Sequence, residues 1–139
     1  MATYTIRQLS QRFHLPPSTL RYYEDEGILT GVARDAAGQR VYEEKHVHRL
    51  GTICCFKGTG MTIAQLKVFF ACEQDEPAHI EEILALLDGQ QAHVEAQLAE
   101  LARDYAHIRR KRRYYGDIKA ALDAGLPLPK WEEYRDKVF

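Results

Sequence analysis

The sequence predicts a mainly α-helical protein, with a head of short helices and a small β-hairpin, one long helix, and a short helical tail. Three observations support this prediction. Apolar residues recur at three- and four-residue spacing, which is typical of helices that bury one face. Glycine, proline and capping residues divide the first half of the chain into short segments. From Pro77 to Tyr115, an apolar seven-residue repeat continues without a break.

Length and composition fit one small domain with an extension. The chain has 139 residues, of which 45% are hydrophobic and 28% charged, as in an ordinary soluble globular protein. No apolar run approaches the length of about 20 residues that spans a membrane, and the polar start of the chain is unlike a signal peptide. Three cysteines make no disulfide framework, so we expect a cytoplasmic location. With a net charge of −1, nucleic-acid binding would have to come from local basic patches.

The ends of the first two helices are marked by their residues. Thr5 and Gln8 fit a capping box, which predicts the start of the first helix. Pro17 suits the first position of a second helix, and Gly27 suits the left-handed residue just past its end. Two short helices joined by a tight turn form a helix-turn-helix, whose second helix enters the major groove of DNA.

The second predicted helix, Pro17 to Glu26, has one clear apolar anchor, Leu20. Hydroxyls, a guanidinium and phenols on the remaining surface suit phosphates and base edges. Taken alone, the segment fits a solvated helix with a half-buried tyrosine equally well. The residues left to face a polar partner are Ser18, Thr19, Arg21, Tyr22 and Tyr23.

Residues 30 to 42 predict a small hairpin, or wing, with its turn at Asp35-Ala36-Ala37-Gly38. Arg34 and Arg40 flank the turn. In isolation they fit a solvated loop, but beside a helix-turn-helix we expect paired arginines to clamp phosphates. Two further helices follow, one over residues 43 to 57 and one that begins at Thr62.

The seven-residue repeat predicts a coiled-coil homodimer. A helix from Pro77 to Tyr115 would be about 58 Å long at 1.5 Å per residue. The apolar side chains of the repeat would form a stripe along one side of it, and a partner helix is needed to bury that stripe. Nothing else in the chain is long enough, so a second copy is the simplest partner. The predicted seam comprises Ile80, Leu84, Leu87, Val94, Leu98, Leu101, Tyr105 and Ile108.

We expect Gly116 to weaken or kink the long helix, with a separate short helical piece over residues 117 to 125. The basic run at 109–113 fits a solvated helix end, whose cations offset the helix dipole. In an antiparallel dimer it would instead approach the head of the partner. Trp131, Tyr134 and Val138 share a face, which predicts a packing segment rather than an active site. The predicted domains are 1–73 for the head, 74–76 for a hinge, 77–115 for the dimerisation helix and 116–139 for the tail.

Residues 3 to 73 resemble the DNA-binding domain of MerR-family transcription regulators. The resemblance is carried by Arg21-Tyr22-Tyr23-Glu24 and Gly27, followed by Arg34, Gly38, Arg40 and Tyr42. Gln39 departs from the family pattern, which usually has an aromatic residue there. The resemblance implies a winged helix-turn-helix and a homodimer with an antiparallel coiled coil. It also implies distortion of promoter DNA, which acts indirectly on RNA polymerase. The implied DNA-binding residues are Ser18, Thr19, Arg21, Tyr22, Tyr23, Arg34, Arg40 and Tyr42.

The segment from Cys55 to Met61 resembles the one that carries the lone cysteine of the NmlR/AdhR branch, regulators linked to aldehydes and electrophile stress. By that resemblance Cys55 is the candidate sensor, and Cys54 is an extra neighbour. Nearby Lys57 would favour the thiolate, whereas a helix C-terminus would oppose it. An inert, buried thiol is the common alternative.

No metal site and no cofactor are expected. No cysteine follows Cys72, and His79, His93 and His107 would lie about 21 Å apart along the long helix, too far to share an ion.

Other functions remain open from the sequence. Within the same family, the alternative is a regulator that senses a small organic ligand without cysteine chemistry. In other classes, the chain would be a cysteine-dependent enzyme using Cys55, or a coiled-coil adaptor that does not bind DNA. We favour a regulator that is not an enzyme, because no histidine lies near Cys55 in the sequence.

Overall fold

The computed structural model describes residues 2–139, and it confirms the mainly α-helical class. The chain divides into two compact units, residues 1–90 and 91–139. Single 3-10 turns lie at Glu73–Asp75, Pro77–His79 and Trp131–Glu133. The other elements are β1 (Thr3–Tyr4), α1 (Ile6–Phe13), α2 (Pro17–Asp25), β2 (Ala33–Arg34), β3 (Arg40–Glu43), α3 (Glu44–Gly58), α4 (Ile63–Cys72) and α5 (Ile80–Ala124).

The helix-turn-helix begins and ends where local chemistry predicts. Thr5 Oγ1 accepts from the Gln8 N–H at 3.1 Å, and Gln8 Oε1 accepts from the Thr5 N–H at 2.8 Å, so the capping box is confirmed. Pro17 occupies the first turn of α2. Gly27 has a φ of +75°, and the Ile28 N–H donates to the Tyr23 carbonyl at 3.1 Å. This pair of features is the Schellman ending that glycine allows.

The wing is confirmed, with one strand more than the sequence predicted. β3 is the central strand, with β1 and β2 antiparallel on either side. The turn is held by Asp35, whose carboxylate accepts from the backbone N–H groups of Ala37 and Gln39, each at 2.9 Å. β1 has only two residues, too few for a period-two pattern to reveal it.

One apolar core holds the first unit together. Each of its four main helices contributes a leucine with no exposed surface: Leu9, Leu20, Leu50 and Leu66. Burying a leucine stabilises a fold by about 1.5–3 kcal/mol relative to leaving it exposed. The core therefore fixes α2 by one face, which leaves the opposite face free.

The long helix corrects one prediction. α5 continues through Gly116 to Ala124 as one helix of 45 residues, so no separate piece begins at residue 117. A glycine in a helix interior costs only about 1 kcal/mol relative to alanine, which favourable neighbours offset. The helix ends at Gly125, where φ is +67° and the Leu126 N–H donates to the Ala121 carbonyl at 2.9 Å.

Within the second unit, the tail lies against the last turns of α5. The Tyr134 hydroxyl donates to the Asp117 carboxylate at 2.7 Å. The Trp131 ring packs edge-on against Tyr114, with centroids 5.4 Å apart, and the Lys111 ammonium lies 3.7 Å from the Trp131 centroid. Val138 takes no part in this packing, because it is 89% exposed.

α5 carries an exposed apolar stripe. In the second unit, Leu98, Leu101, Tyr105 and Ile108 are each 59–65% exposed and line a shallow groove of about 430 Å³. Of the predicted seam, Ile80 and Leu84 are also exposed, whereas Leu87 and Val94 are half-buried. Among residues 2–139, no helix combines the length and apolar character needed to cross a membrane.

Candidate nucleic-acid interface

α2 separates its residues into a buried face and a polar face. Leu20 and Tyr23 are three residues apart, share one side of the helix, and lie in the core. Ser18, Arg21 and Tyr22 are exposed on the other side, and Thr19 is partly exposed. The helix is therefore anchored by its apolar side and presents hydroxyls and a guanidinium outward.

Tyr23, predicted among the residues that contact DNA, packs mainly into the core. Only 5% of the residue is exposed, so a contact of its phenol with DNA stays a prediction. Burial also raises the pKa of Tyr23, which keeps the phenol neutral. Its role is to hold α2 in place.

A charged cluster joins the wing to α2. Arg40 Nε donates to Glu24 Oε2 at 2.6 Å, and the Tyr42 hydroxyl donates to the same oxygen at 3.2 Å. Tyr42 has no exposed surface. Burial first, and then the negative charge of Glu24, raise the pKa of Tyr42 to about 12.

This cluster corrects the role predicted for Tyr42, which was expected to contact DNA but has no exposed surface. Arg40 pairs with Glu24 through Nε alone, and its side chain is 19% exposed, so its contact with DNA stays a prediction. The pairing also fixes the wing against α2. Glu24, which receives both donors, was not among the predicted site residues. The sequence signal was a carboxylate directly after Arg21, Tyr22 and Tyr23.

The wing turn presents Arg34. Its Nη1 donates to the Gly38 carbonyl at 3.0 Å, which directs the guanidinium along the turn, and the residue is exposed. Five donors on a planar group suit a phosphate, so the geometry agrees with the predicted use of Arg34.

A groove of about 470 Å³ lies between α1, α2 and the wing. Three of its lining residues are arginines, one from each element: Arg7, Arg21 and Arg40. Arg7 was missed as a site residue, although its position off the apolar face of α1 was the available signal. Convergent guanidiniums in a concave surface favour binding of a polyanion.

The cysteines of α3 differ in exposure. Cys55 is exposed near the end of the helix, whereas Cys54 is partly buried, and burial raises the pKa of Cys54. Of the two, only Cys55 presents its thiol to solvent. Its exposure agrees with the predicted sensor position, but its reactivity remains a prediction.

A helix fixed by its apolar face, with a polar outer face and a wing bound to its end, defines the class of winged helix-turn-helix proteins. The sequence matches the family described as "MerR HTH family regulatory protein" over residues 4–71. It also matches the family described as "MerR, DNA binding" over residues 47–111.

Individual relatives agree with these matches. An uncharacterized HTH-type transcriptional regulator of Haemophilus influenzae is 35% identical over 118 residues, which are 85% of this chain and 87% of the relative. The HTH-type transcriptional regulator AdhR of Bacillus subtilis is 36% identical over 61 residues, which are 44% of each chain.

A solved structure is also similar. It is HiNmlR, described as a MerR family regulator lacking the sensor domain, bound to promoter DNA. The TM-score is 0.73 at 34% identity, covering 86% of this chain and 94% of that one. This chain belongs to the MerR family and is a DNA-binding transcriptional regulator of MerR type.

Proposed function

We propose that the chain acts as a homodimer that binds and distorts promoter DNA, and that Cys55 is its sensor for electrophiles such as aldehydes. The observation that carries the DNA-binding part is the exposed polar face of α2 beside the arginine-lined groove. RNA polymerase is then affected indirectly, through the shape of the promoter.

DNA contact is assigned to the exposed members of the predicted set. Arg21 reaches base edges or phosphates from the centre of α2, with Ser18, Thr19 and Tyr22 beside it. Arg34 contacts the backbone from the wing turn, and Arg7 contacts it from α1. Arg40 adds its unpaired guanidinium edge from the groove, and Tyr23 and Tyr42 support these contacts from the core.

Dimerisation is assigned to the apolar stripe of α5. Leu98, Leu101, Tyr105 and Ile108 repeat at three- and four-residue spacing and are exposed in the single chain. A long helix with an apolar seam of this kind is covered by a second helix. The head up to residue 73 thus reads DNA, and the helix from residue 77 joins two heads in one molecule.

Arg21→Ala tests the DNA contact. We expect specific binding to a cognate promoter to weaken by about 1–3 kcal/mol, measured by gel shift at fixed salt. Lys119→Ala is the matched control, because Lys119 is an exposed cation paired with Asp123 in the second unit. Equal affinities of the parent and Arg21→Ala would refute the placement of α2 on DNA.

The sensor is supported by the exposure of Cys55 and by the similarity of the chain to AdhR, which is 36% identical over 61 residues. A thiolate forms a carbon–sulfur bond with an electrophilic carbonyl or alkene carbon. The π bond breaks, and its electron pair moves to the carbonyl oxygen or to the electron-accepting end of the alkene, which takes up a proton.

Competitive alkylation with mass mapping tests the sensor. We expect Cys55 in the native protein to react faster than in the urea-unfolded protein, with Cys54 and Cys72 as internal controls. A Cys55→Ser variant should keep DNA binding and lose the change in promoter activity caused by an aldehyde. If Cys55 reacts no faster than in the unfolded chain, the sensor proposal is wrong.

A further inference from the structure

Three metal-ligating side chains meet where α4 passes into α5. Cys72 ends α4, while His79 and Glu82 lie three residues apart at the start of the next helical segment. The Cys72 thiol donates to Glu82 Oε2 at 3.6 Å, and His79 Nδ1 lies 3.3 Å from Glu82 Oε1. One ligand atom from each residue falls within 4.8 Å of the other two.

These separations match the spacing of ligands around a tetrahedral ion. Zinc binds sulfur at about 2.3 Å and nitrogen or oxygen at about 2.0–2.1 Å, so neighbouring ligand atoms lie about 3.4–3.6 Å apart. Glu82 offers a different oxygen to each neighbour, Oε2 to the Cys72 sulfur at 3.6 Å and Oε1 to His79 Nδ1 at 3.3 Å, and each separation is close to such an edge. One Glu82 oxygen would turn toward the common centre when the ion binds, and the three ligand atoms already lie within 4.8 Å of one another.

The donor set also selects the metal. Magnesium and calcium prefer oxygen ligands alone, whereas a thiolate, an imidazole and a carboxylate together suit zinc. Cys72 is 5% exposed, so its sulfur would be shielded from oxidants and competing thiols. His79 and Glu82 have side chains that are 42% and 63% exposed, which leaves an entry path for the ion.

We propose that Cys72, His79 and Glu82 form a zinc-binding site, with the fourth position open to water or an exogenous ligand. The sequence predicted no metal site, because it compared His79 only with the histidines farther along the same helix. The 3-10 turns at Glu73–Asp75 and Pro77–His79 bring His79 back to Cys72, and no period in the sequence reveals that path.

The site would have a mechanical consequence. Its ligands lie on both sides of the predicted hinge at residues 74–76, so a bound ion would tie the last residue of α4 to the first turn of α5. Metal binding would therefore stiffen the segment through which α5 leaves the DNA-binding head. A ligand that binds the folded form alone also stabilises it by mass action.

Cobalt substitution of the full chain tests the proposal. Cobalt(II) in a tetrahedral site with a thiolate ligand gives a sulfur-to-metal charge-transfer band and intense visible absorption. We expect one equivalent per chain to produce this spectrum, and zinc to displace the cobalt and abolish it. The same titration with a chromophoric chelator as competitor gives the zinc affinity.

Variants identify the ligands. Cys72→Ser should abolish the charge-transfer band, and Glu82→Gln or His79→Gln should weaken zinc binding by at least about tenfold. Cys55→Ser and His93→Gln are matched controls that change a thiol and an imidazole elsewhere, and they should leave the spectrum and affinity unchanged. Circular dichroism of each variant confirms that the fold is retained.

Two outcomes would overturn the proposal. If the parent chain binds cobalt without a charge-transfer band, the thiol is only a hydrogen-bond donor to Glu82 and the cluster is a structural contact. If Cys72→Ser retains the band or Cys55→Ser loses it, the ion binds another thiol. Neither result bears on DNA binding, which the promoter gel shift measures separately.

Discussion

Glu24→Gln tests whether the wing is fixed by charge. Glu24 accepts from Arg40 at 2.6 Å and from Tyr42 at 3.2 Å, and the side chains of Glu24 and Arg40 are only 18% and 19% exposed. A hydrogen bond to a charged group contributes about 1.5–3 kcal/mol, and breaking a buried pair costs about 3–5 kcal/mol.

The glutamine oxygen can still accept one hydrogen bond, and water reaches part of the cluster, so the loss should fall below the sum of these terms. We expect Glu24→Gln to lower the free energy of unfolding by about 2–3 kcal/mol. Urea unfolding at a fixed protein concentration measures this loss. The fixed concentration matters because the proposed association of two subunits would contribute to apparent stability.

Glu26→Gln is the matched control. Glu26 lies two residues away and pairs with Lys67, whose side chain is 48% exposed, so its loss should cost no more than about 1 kcal/mol. A double-mutant cycle of Glu24→Gln with Tyr42→Phe should give a coupling energy of at least about 0.5 kcal/mol. The reasoning is refuted if Glu24→Gln costs no more than Glu26→Gln, or if the cycle shows no coupling.

Alkaline pH should destabilise the protein through Tyr42. The pKa of Tyr42 in the folded protein is about 12, above the ordinary value of 10.0. The stabilisation that the neutral phenol provides is therefore complete below about pH 10 and is lost as the pH rises toward 12. Over this range, the urea midpoint of Tyr42→Phe should fall less than that of the parent protein. Leu20→Ala should lower the free energy of unfolding by about 2–5 kcal/mol, because Leu20 has no exposed surface. Val68→Ala, at a half-exposed position, should lower it by about 0.5 kcal/mol. Comparable losses in the two variants would contradict the assignment of Leu20 to the core. If the chain forms the proposed dimer, Leu101→Asp should convert it to a monomer in analytical ultracentrifugation, while Ala96→Asp, on the opposite side of α5, should not. A dimeric Leu101→Asp protein would exclude this stripe as the seam.

The features that the sequence predicts well depend on a few adjacent residues. The capping box at Thr5, the first-turn Pro17 and the left-handed Gly27 each follow from backbone chemistry within four residues. The wing turn at Asp35 is equally local. For the same reason, the exposed face of α2 could be assigned before the structure was known.

The errors arise where a side chain takes its role from a distant partner. Tyr42 and Arg40 meet Glu24 across 18 and 16 residues of sequence, so a phenol that suits DNA is enclosed and one edge of a guanidinium is paired within the protein. Tyr23 is buried because α2 packs against the core through two side chains, Leu20 and Tyr23, whereas the sequence indicated Leu20 alone. Gly116 failed to end α5 because a modest local penalty does not stop a long helix.

The pairing of Thr3 and Tyr4 with β3 means that the wing does not swing as a separate arm. β3, its middle strand, pairs with Thr3 and Tyr4 on one side and with β2 on the other. Any affinity tag or fluorescent fusion joined shortly before Thr3 would start close to Glu43, at the root of the wing. Expression designs intended for promoter-binding measurements should therefore carry such additions at the other terminus.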